Sequence, residues 1–151
     1  MEGMTAERKT ILVPVDFDGA SRRALAAARW LAGALDAELV LFHVHDRPGF
    51  DHPEIPDEMV NRIGDLVEQA GRKSLADLAE EMGVHRTLFR RGDPAERILE
   101  TAAEMEPAMI VMGTHGRRGL AAFLMGSVAA QVVRGASVPV VTVRAQPEDE
   151  A

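Results

Sequence analysis

The sequence predicts a doubly wound α/β fold, in which one parallel sheet carries helices on both of its faces. Apolar runs of strand length alternate along the chain with segments whose apolar residues recur at helical spacing. The runs are too continuously apolar for a sheet with one solvent-exposed face, and strict alternation of strands and helices is typical of a parallel sheet. Strands are expected at residues 10–16, 38–44, 84–90, 109–112 and 138–143, and helices at residues 21–35, 57–82, 95–105 and 127–134.

Length and composition predict one domain with an aliphatic core. A chain of 151 residues can bury roughly two-thirds of the surface that its unfolded form exposes, which suffices for one sheet and its helices. With 46% hydrophobic but only 4% aromatic residues, the core is expected to consist of Ala, Val, Leu, Ile and Met. We assign residues 9–145 to the domain, residues 1–8 to a flexible amino terminus and residues 146–151 to an acidic tail.

Charge and residue usage argue against several classes of protein. The net charge of -7 argues against nucleic acid as the main partner, because a phosphate backbone favours a basic face. The chain has no cysteine, which excludes disulfides and thiolate chemistry. Its first residues are polar and no stretch of about 18 consecutive residues is apolar. We therefore expect neither a signal peptide nor a membrane span, and we expect the protein in the cytoplasm.

The first strand should end at Pro14, which cannot donate a hydrogen bond to a neighbouring strand. Asp16 then lies at the carboxyl end of the sheet, where open parallel sheets bind their ligands. It is either a ligand contact or a turn and helix-cap residue. The next helix begins near Ser21, a candidate cap, and carries Trp30, which we expect to be a partly buried anchor.

The second strand is apolar almost throughout and ends near His43 and His45. Two histidines on one face of a strand could bind a metal, but without a third ligand ordinary hydrogen bonds are the better interpretation. Residues 46–57 contain prolines and a glycine, and we expect a loop there that is either a flap over the ligand or a linker without a role. The next segment predicts a long amphipathic helix with apolar residues at Val60, Ile63, Val67, Leu75, Leu78 and Met82.

Turn residues mark the boundaries of the third strand and of the helix after it. Gly83 should end the long helix, because glycine readily adopts the left-handed conformation that follows a helix. Asp93 is expected to cap the next helix, with Pro94 at its first position and Pro107 beyond its end.

The strongest functional signal is a glycine-rich loop between a strand and a helix. The apolar run at residues 109–112 precedes the loop, and a helix opens at Gly126 and Ser127. The first amides of a helix lack intrahelical partners, and together with the helix dipole they favour an anion. This order of elements therefore predicts a phosphate site.

Residues within the loop fit the same interpretation. Glycine tolerates positive φ, so Gly113, Gly116 and Gly119 would let backbone amides approach a ligand closely. Arg117 and Arg118 either contact phosphate or lie in a solvated loop. On this interpretation of the glycines, we expect Gly113→Val to block the approach of phosphate and to leave the fold largely intact.

The last strand predicts contact with another subunit. It is rich in valine over Val138–Val143, and a bare edge strand of this composition favours pairing with another chain.

The spacing of these glycines resembles a family signature. Gly113, Gly116, Gly126 and Ser127 match the pattern G-x-x-G-(nine residues)-G-[S/T] of the universal stress protein family, in its nucleotide-binding branch. I-L-V-P-V-D, A-E-L-V-L-F-H-V and S-V-P-V-V-T-V-R are similar to the first, second and last strands of that family. The resemblance covers about residues 9–144. It implies a Rossmann-like sheet in the order 3-2-1-4-5, a homodimer formed through the last strand, and ATP. Glycine amides and the helix start would neutralise part of the phosphate charge, and either Arg117 or Mg²⁺ could supply the rest.

The resemblance also implies which residues surround the nucleotide. Pro14, Val15 and Asp16 would border the adenosine, with Asp16 near the ribose or a bound metal. Val44 would meet the adenine edge through its backbone, and Met112 would line the pocket. The residues implied around the ribose and phosphates are Gly113, His115, Gly116, Arg117, Gly126, Ser127 and Val128. Val15 departs from the family, in which a small hydroxyl residue is frequent at this position.

Three functions follow from these expectations. The first is a dimeric, ATP-dependent stress-response sensor or regulator, whose nucleotide alters the loop at residues 46–57 and thereby the surface offered to an unknown protein partner. The second is slow ATP hydrolysis or autophosphorylation, with Asp16, His115 and Ser127 as candidate groups, although Ser127 is as readily a helix cap. The third is an interaction scaffold that binds no nucleotide.

Overall fold

The computed structural model describes residues 8–46, 53–114 and 125–146. Strands and helices alternate through these ranges. The elements are β1 (Thr10–Pro14), α1 (Gly19–Leu35), β2 (Glu38–His45), α2 (Asp57–Met82), β3 (Arg86–Arg91), α3 (Pro94–Met105), β4 (Met109–Gly113), α4 (Ser127–Gly135) and β5 (Val140–Val143).

The strands form one parallel sheet in the order β3-β2-β1-β4-β5, which confirms the predicted fold class and strand order. Leu12 of β1 pairs with Val40 of β2 on one side and with Ile110 of β4 on the other. The chain therefore leaves β1 in one direction along the sheet and later returns to its opposite side. A crevice opens at such a reversal, between the carboxyl ends of β1 and β4.

Alternate residues of each strand face opposite sides of the sheet and build two cores. Ile11 and Val13 point to one side, where Leu25 and Ala28 of α1 and Leu78 of α2 cover them. On the other side, α3 and α4 cover a second core, formed by Leu12, Val40, Phe42, Ala95, Ile98, Ala102, Ile110, Met112, Ala129 and Val132. Apart from Phe42, the hydrophobic side chains buried in the described ranges are aliphatic, as the composition predicts.

Helix α4 begins at Ser127 as predicted, but the two serines that were candidate caps, Ser21 and Ser127, do not cap their helices. Asp18, not Ser21, caps α1: the Asp18 carboxylate accepts a hydrogen bond from the amide of Ser21 at 2.8 Å. Gly126, not Ser127, is the cap residue of α4, and no side chain of the described residues caps that helix. At α3 the prediction is confirmed, since Asp93 caps the helix and Pro94 occupies its first turn.

Several apolar side chains are more exposed than their spacing predicts. Trp30 is 74% exposed, so its assignment as a partly buried anchor is wrong. On α2, Ile63 and Val67 are exposed, whereas Leu75 and Leu78 are buried. A helix of 26 residues is about 39 Å long, which exceeds the about 26 Å of the eight-residue strand β2. The first half of α2 therefore extends past the sheet that its second half covers.

Both outer strands begin later than predicted. β3 starts at Arg86 and β5 at Val140, each two residues beyond its expected start. β5 pairs with β4 on one side and lies at the end of the strand order.

In the described ranges, no helix combines the length and the apolarity that a membrane span requires.

Candidate functional site

The crevice at the strand reversal contains a cleft of about 490 Å³. It lies at the carboxyl ends of β1, β2 and β4, between the first turns of α3 and α4. A volume of this size is ordinary for a small-molecule site. The sheet topology thus places a ligand-sized space at the position that the sequence predicts.

Every predicted site residue that the structure describes lines this cleft. These residues are Pro14, Val15, Asp16, Val44, Met112, Gly113, Gly126, Ser127 and Val128. The other predicted residues, His115, Gly116 and Arg117, lie outside the described residues, as do Arg118 and Gly119.

Other residues of the lining were not predicted. Pro94 and Ile98 come from the first turns of α3, and Thr114 follows β4. Ser21 and His43 complete the side near β1. For Ile98 the sequence shows only an apolar position of an amphipathic helix, which does not distinguish a cleft wall from a core residue. Ser21 carried a signal, because a hydroxyl five residues after Asp16 is near enough to bond to it.

The start of α4 is arranged to receive an anion. The amide of Ala130 donates to the carbonyl of Gly126 at 3.0 Å and closes the first turn of the helix. The amides of Ser127, Val128 and Ala129 consequently have no intrahelical partner, and no described side chain caps the helix. All three residues line the cleft. Their N–H groups and the helix dipole favour negative charge at this end of the cleft.

Two hydrogen bonds hold the ends of the glycine loop together. The amide of Gly126 donates to the carbonyl of Thr114 at 2.6 Å. The amide of Thr114 in turn donates to the carbonyl of Val143 at 3.0 Å. The start of α4 is thereby fixed to the end of the sheet, whatever lies in residues 115–124.

Gly113 lines the cleft and also meets a packing demand that the sequence does not show. Among the described glycines, only Gly83 and Gly92 have positive φ, so Gly113 does not use the positive φ that its residue type permits. A Cβ at Gly113 would lie 2.9 Å from the Cβ of Ala20 and 3.1 Å from its carbonyl carbon. Gly113 is therefore needed for the close packing of β4 against α1. The expectation that Gly113→Val leaves the fold intact is wrong for the same reason.

Asp16 lines the cleft within a network of hydrogen bonds. The Ser21 hydroxyl donates to its Oδ1 at 2.7 Å, and the amide of Asp18 donates to the same oxygen at 3.3 Å. The amide of Asp16 donates to the Ser21 hydroxyl oxygen at 3.0 Å. Asp16 is thus a fixed carboxylate. Its bond with the Asp18 amide is a turn contact, as its alternative role predicts, whereas the helix-cap part of that role belongs to Asp18.

The same surroundings raise the pKa of Asp16 from 3.8 to about 6. Burial is the main cause, because it disfavours the charged form, and the side chain of Asp18 adds to the rise. The hydrogen bond from Ser21 acts in the opposite direction. A cation or a hydrogen-bond donor brought to Asp16 by a ligand would favour its charged form.

The turn after Asp16 is strained and rests on a histidine. Phe17 has φ of 69°, a region that costs a bulky residue about 1–2 kcal/mol. Its ring lies 4.6 Å from the ring of His43. His43 Nδ1 lies 2.7 Å from the carbonyl oxygen of Val15, which confirms the hydrogen-bonded interpretation of this histidine.

In the described part of the chain, no three His, Cys, Asp or Glu side chains are grouped so as to hold a metal ion.

Comparison with known proteins agrees with the predicted family. Residues 7–144 match the Universal stress protein family. The universal stress protein MJ0531 of Methanocaldococcus jannaschii is 36% identical over 141 residues, which cover 90% of this chain and 82% of that protein. The fold matches the universal stress protein UspA from Lactobacillus plantarum with a TM-score of 0.79 at 24% identity, covering 92% of this chain and 99% of that one.

A further solved structure is a universal stress protein in complex with cAMP. It matches with a TM-score of 0.61 at 25% identity and covers 91% of this chain and 98% of that one. The match over residues 7–144 confirms the predicted family. The chain belongs to the universal stress protein family.

Proposed function

We propose that this chain binds ATP in the cleft and acts as a nucleotide-dependent regulator. The observation that carries the proposal is the start of α4, which no described side chain caps and which presents the amides of Ser127, Val128 and Ala129 to the cleft. A helix that begins without a side-chain cap in a ligand-sized space has donors available for phosphate oxygens. Helices α1 and α3 each have an aspartate as their cap, and α2, which also begins without a side-chain cap, contributes no residue to the cleft.

The rest of the cleft fits a nucleoside. Apolar side chains of Val44, Ile98 and Met112 line it, next to Pro14 at the end of β1. Such a surface suits the faces of a purine, and the carboxylate of Asp16 suits a ribose hydroxyl or a cation. We assign the adenosine to this part of the cleft and the phosphates to the start of α4.

Magnesium fits only as a partner of the nucleotide. Mg²⁺ is commonly held by one or two carboxylates together with substrate phosphates and water. Asp16 is the one carboxylate that lines the cleft in the described ranges, so the phosphates would have to supply the other ligands. When bound, Mg²⁺ would neutralise phosphate charge, while Asp16 would hold the ion on the side of β1.

The universal stress protein in complex with cAMP supports a nucleotide in general. A cyclic monophosphate carries one phosphate and no free chain of phosphates, whereas the exposed start of α4 offers several donors. We therefore propose ATP as the ligand of this chain and treat cAMP as the competing nucleotide in the test.

The first experiment is to purify the protein without added nucleotide, denature it, and identify and quantify what it releases by chromatography and mass spectrometry. Titration calorimetry with Mg-ATP, ADP and cAMP follows on the emptied protein. Near-stoichiometric ATP, or a clear preference for Mg-ATP, supports the proposal. A preference for cAMP would contradict the choice of nucleotide. An empty protein that ignores all three nucleotides would favour the scaffold function.

Hydrolysis has less support from the geometry. A carboxylate that activates water for attack on a phosphate needs a free oxygen directed at that water. Asp16 Oδ1 already accepts from the Ser21 hydroxyl and the Asp18 amide, so this role would fall to Oδ2, which the proposed contact with ribose or Mg²⁺ would also need. Ser127 is the first residue of α4, and the third candidate, His115, lies outside the described residues. Release of mostly ADP in the first experiment would favour slow ATP hydrolysis as the function.

We further propose that the regulator is a cytoplasmic homodimer formed through β5, with residues 9–145 as its domain. β5 lies at the end of the strand order and carries half-buried valines. The loop at residues 46–57 would report the bound nucleotide to a protein partner, and residues 47–52 of that loop lie outside the described residues. No residue of β5 lines the cleft, so the oligomeric state requires a test of its own.

A further inference from the structure

We infer that His43 is a positioning residue for Asp16. Its ring contacts the residue before Asp16 and the residue after it, and so fixes the carboxylate at the edge of the cleft. The importance of this placement for a ligand rests on the proposed nucleotide site, whereas the placement itself is a property of the nucleotide-free protein.

The first contact holds the residue before Asp16. His43 Nδ1 lies 2.7 Å from the carbonyl oxygen of Val15. A carbonyl oxygen can only accept, so Nδ1 carries the proton and donates it. The amide of Val15 donates to the carbonyl of Phe42 at 2.8 Å. Both polar backbone groups of Val15 are therefore bound to β2, although β1 itself ends one residue earlier.

The second contact supports the residue after Asp16. Phe17 has φ of 69°, which side chains with a Cβ rarely adopt, and such a conformation persists only where the surroundings hold it. The ring of Phe17 lies 4.6 Å from the ring of His43 at an angle of 38°. The imidazole thus provides part of the surface on which the strained turn rests.

The imidazole itself has little freedom to move. The ring of Phe89 on β3 lies 5.6 Å from it, and the guanidinium of Arg72 covers Phe89 at 4.1 Å. On the side of α2, a Cβ at Gly71 would lie 3.6 Å from His43 Nε2, which is ordinary van der Waals contact. β2, β3 and α2 together confine the histidine that holds the turn.

Asp16 depends on this turn for its own hydrogen bonds. Its Oδ1 accepts from the amide of Asp18, across Phe17, and from the hydroxyl of Ser21 at the start of α1. If Phe17 left the left-handed conformation, the amide of Asp18 would turn away from Oδ1. Loss of His43 should therefore free the Asp16 carboxylate without removing it.

Hydrogen exchange in the nucleotide-free protein tests the placement directly. His43→Leu removes both contacts, His43→Asn restores a donor near the position of Nδ1, and His43→Phe restores only a ring. We expect exchange at the amides of Asp18 and Ser21 to be at least about tenfold faster in His43→Leu than in the parent. His43→Asn and His43→Phe should show exchange rates between these two. The amide of Ala102 in α3 is the control and should keep its rate.

Two results would overturn the inference from this experiment. One is parental exchange at Asp18 and Ser21 in His43→Leu. The other is that His43→Asn and His43→Phe protect these amides no better than His43→Leu does. If His43→Leu does not fold, each of the remaining variants is compared with the parent, and unchanged exchange in both gives the same negative answer.

A double-mutant cycle in Mg-ATP affinity tests whether His43 acts through Asp16. We expect His43→Leu to weaken binding about tenfold in the parent and less than about twofold in an Asp16→Asn background. Equal losses in both backgrounds would overturn the positioning role. If the parent does not bind Mg-ATP, the proposed function fails, whereas hydrogen exchange still decides whether His43 holds Asp16.

Discussion

Asp16 combines a fixed position with an environment that opposes its charge. Two donors, the Ser21 hydroxyl and the Asp18 amide, hold Oδ1, while burial raises the pKa to about 6. In the free protein this carboxylate therefore costs stability whenever it is ionised. A ligand that brings a cation or hydroxyl to it would offset part of that cost, which is one way in which a site gains affinity for its ligand.

The pH dependence of stability should reveal this cost at a single residue. The pKa of Asp16 is about 6 in the folded protein and 3.8 in the unfolded chain. Its favourable contribution to the free energy of unfolding is therefore present below pH 3.8 and is lost as the pH rises through 6. Asn does not titrate, so Asp16→Asn does not lose stability in this way as the pH rises. The free energy of unfolding of the variant minus that of the parent should be about 2 kcal/mol larger at pH 8 than at pH 4. Urea unfolding without nucleotide measures this difference. A difference that is the same at both pH values would contradict the burial of this charge.

Glycines illustrate how one residue type serves several structural needs. Gly83 has φ of 67° and ends α2, whereas Gly113 has a negative φ and is close-packed against Ala20. The spacing of Gly113 with later glycines indicates a nucleotide signature, but it does not show which physical demand Gly113 meets. That demand depends on α1, a helix far away in the sequence, and only the assembled fold reveals it.

A matched pair of alanine substitutions separates close packing from helix propensity. Gly113→Ala would place its Cβ 2.9 Å from that of Ala20, so we expect a loss of about 1–3 kcal/mol in the free energy of unfolding. Gly33 lies in α1, where an added methyl group would meet no described atom within 4 Å, so Gly33→Ala should gain about 0.5–1 kcal/mol. Denaturant unfolding measures both. Equal effects at the two positions would show that the β4–α1 contact is looser than these distances indicate.

At the scale of elements, the first turn of α4 governs the proposed phosphate site. Ser127 is exposed at the first position of this helix and lines the cleft. A carboxylate there interacts favourably with the helix dipole, yet it competes with phosphate for the same amides. Fold stability and anion binding should therefore respond in opposite directions to one added charge.

Ser127→Asp and Ser127→Asn form a matched pair that differs in charge alone. We expect Ser127→Asp to weaken Mg-ATP binding at least about tenfold more than Ser127→Asn, while its free energy of unfolding rises by about 0.3–1 kcal/mol. Calorimetric titration and urea unfolding provide the two readouts. Indistinguishable affinities of the two variants would place the phosphates away from α4.

The sequence predicts the elements of this fold better than their environment. Continuous apolar strands and helical spacing are local features, so the number, order and type of elements could be predicted. Exposure is not local: Ile63 and Val67 follow the same spacing as Leu75, but they lie on the part of α2 that extends past the sheet. Trp30 is exposed for a related reason, because the described residues offer that position of α1 no partner surface.

For the site, the sequence predicts residues that lie on one strand end or in one motif. Asp16 and Gly126 are recognisable in this way, and both line the cleft. Pro94 and Ile98 reach the cleft only because α3 packs beside α4, across the sheet from α1. For His43 the sequence predicts hydrogen bonds without naming their partner, and its contacts with both neighbours of Asp16 exist only in the folded chain.

At the scale of the whole molecule, β5 leaves one side of the sheet available for pairing. The amide of Ile110 donates to the carbonyl of Pro139, and the amide of Thr114 donates to that of Val143. Backbone groups of alternate residues point to opposite sides of a strand, so those of Val140 and Thr142 face away from β4. A second copy of β5 would meet these outward groups.

Thr142→Pro tests pairing through this edge. It removes an outward donor without removing a bond between β4 and β5, so we expect the dissociation constant of the proposed dimer to rise at least about tenfold. Thr142→Val keeps the donor and is the control. Light scattering coupled to size exclusion measures the mass of each variant across a range of concentrations. A parent that is monomeric throughout, or a Thr142→Pro dimer as stable as that of Thr142→Val, would contradict this interface.

The hydrogen bond between the Gly126 amide and the Thr114 carbonyl has a consequence for how this protein can change over evolution. It joins the two ends of residues 115–125 at a distance of 2.6 Å, so the sheet and α4 stay in place independently of what connects them. Substitutions between these anchors can therefore change ligand preference without loss of this contact, whereas insertions or deletions would also alter the glycine spacing. Descendants that keep the spacing can share one scaffold and still differ in what they bind.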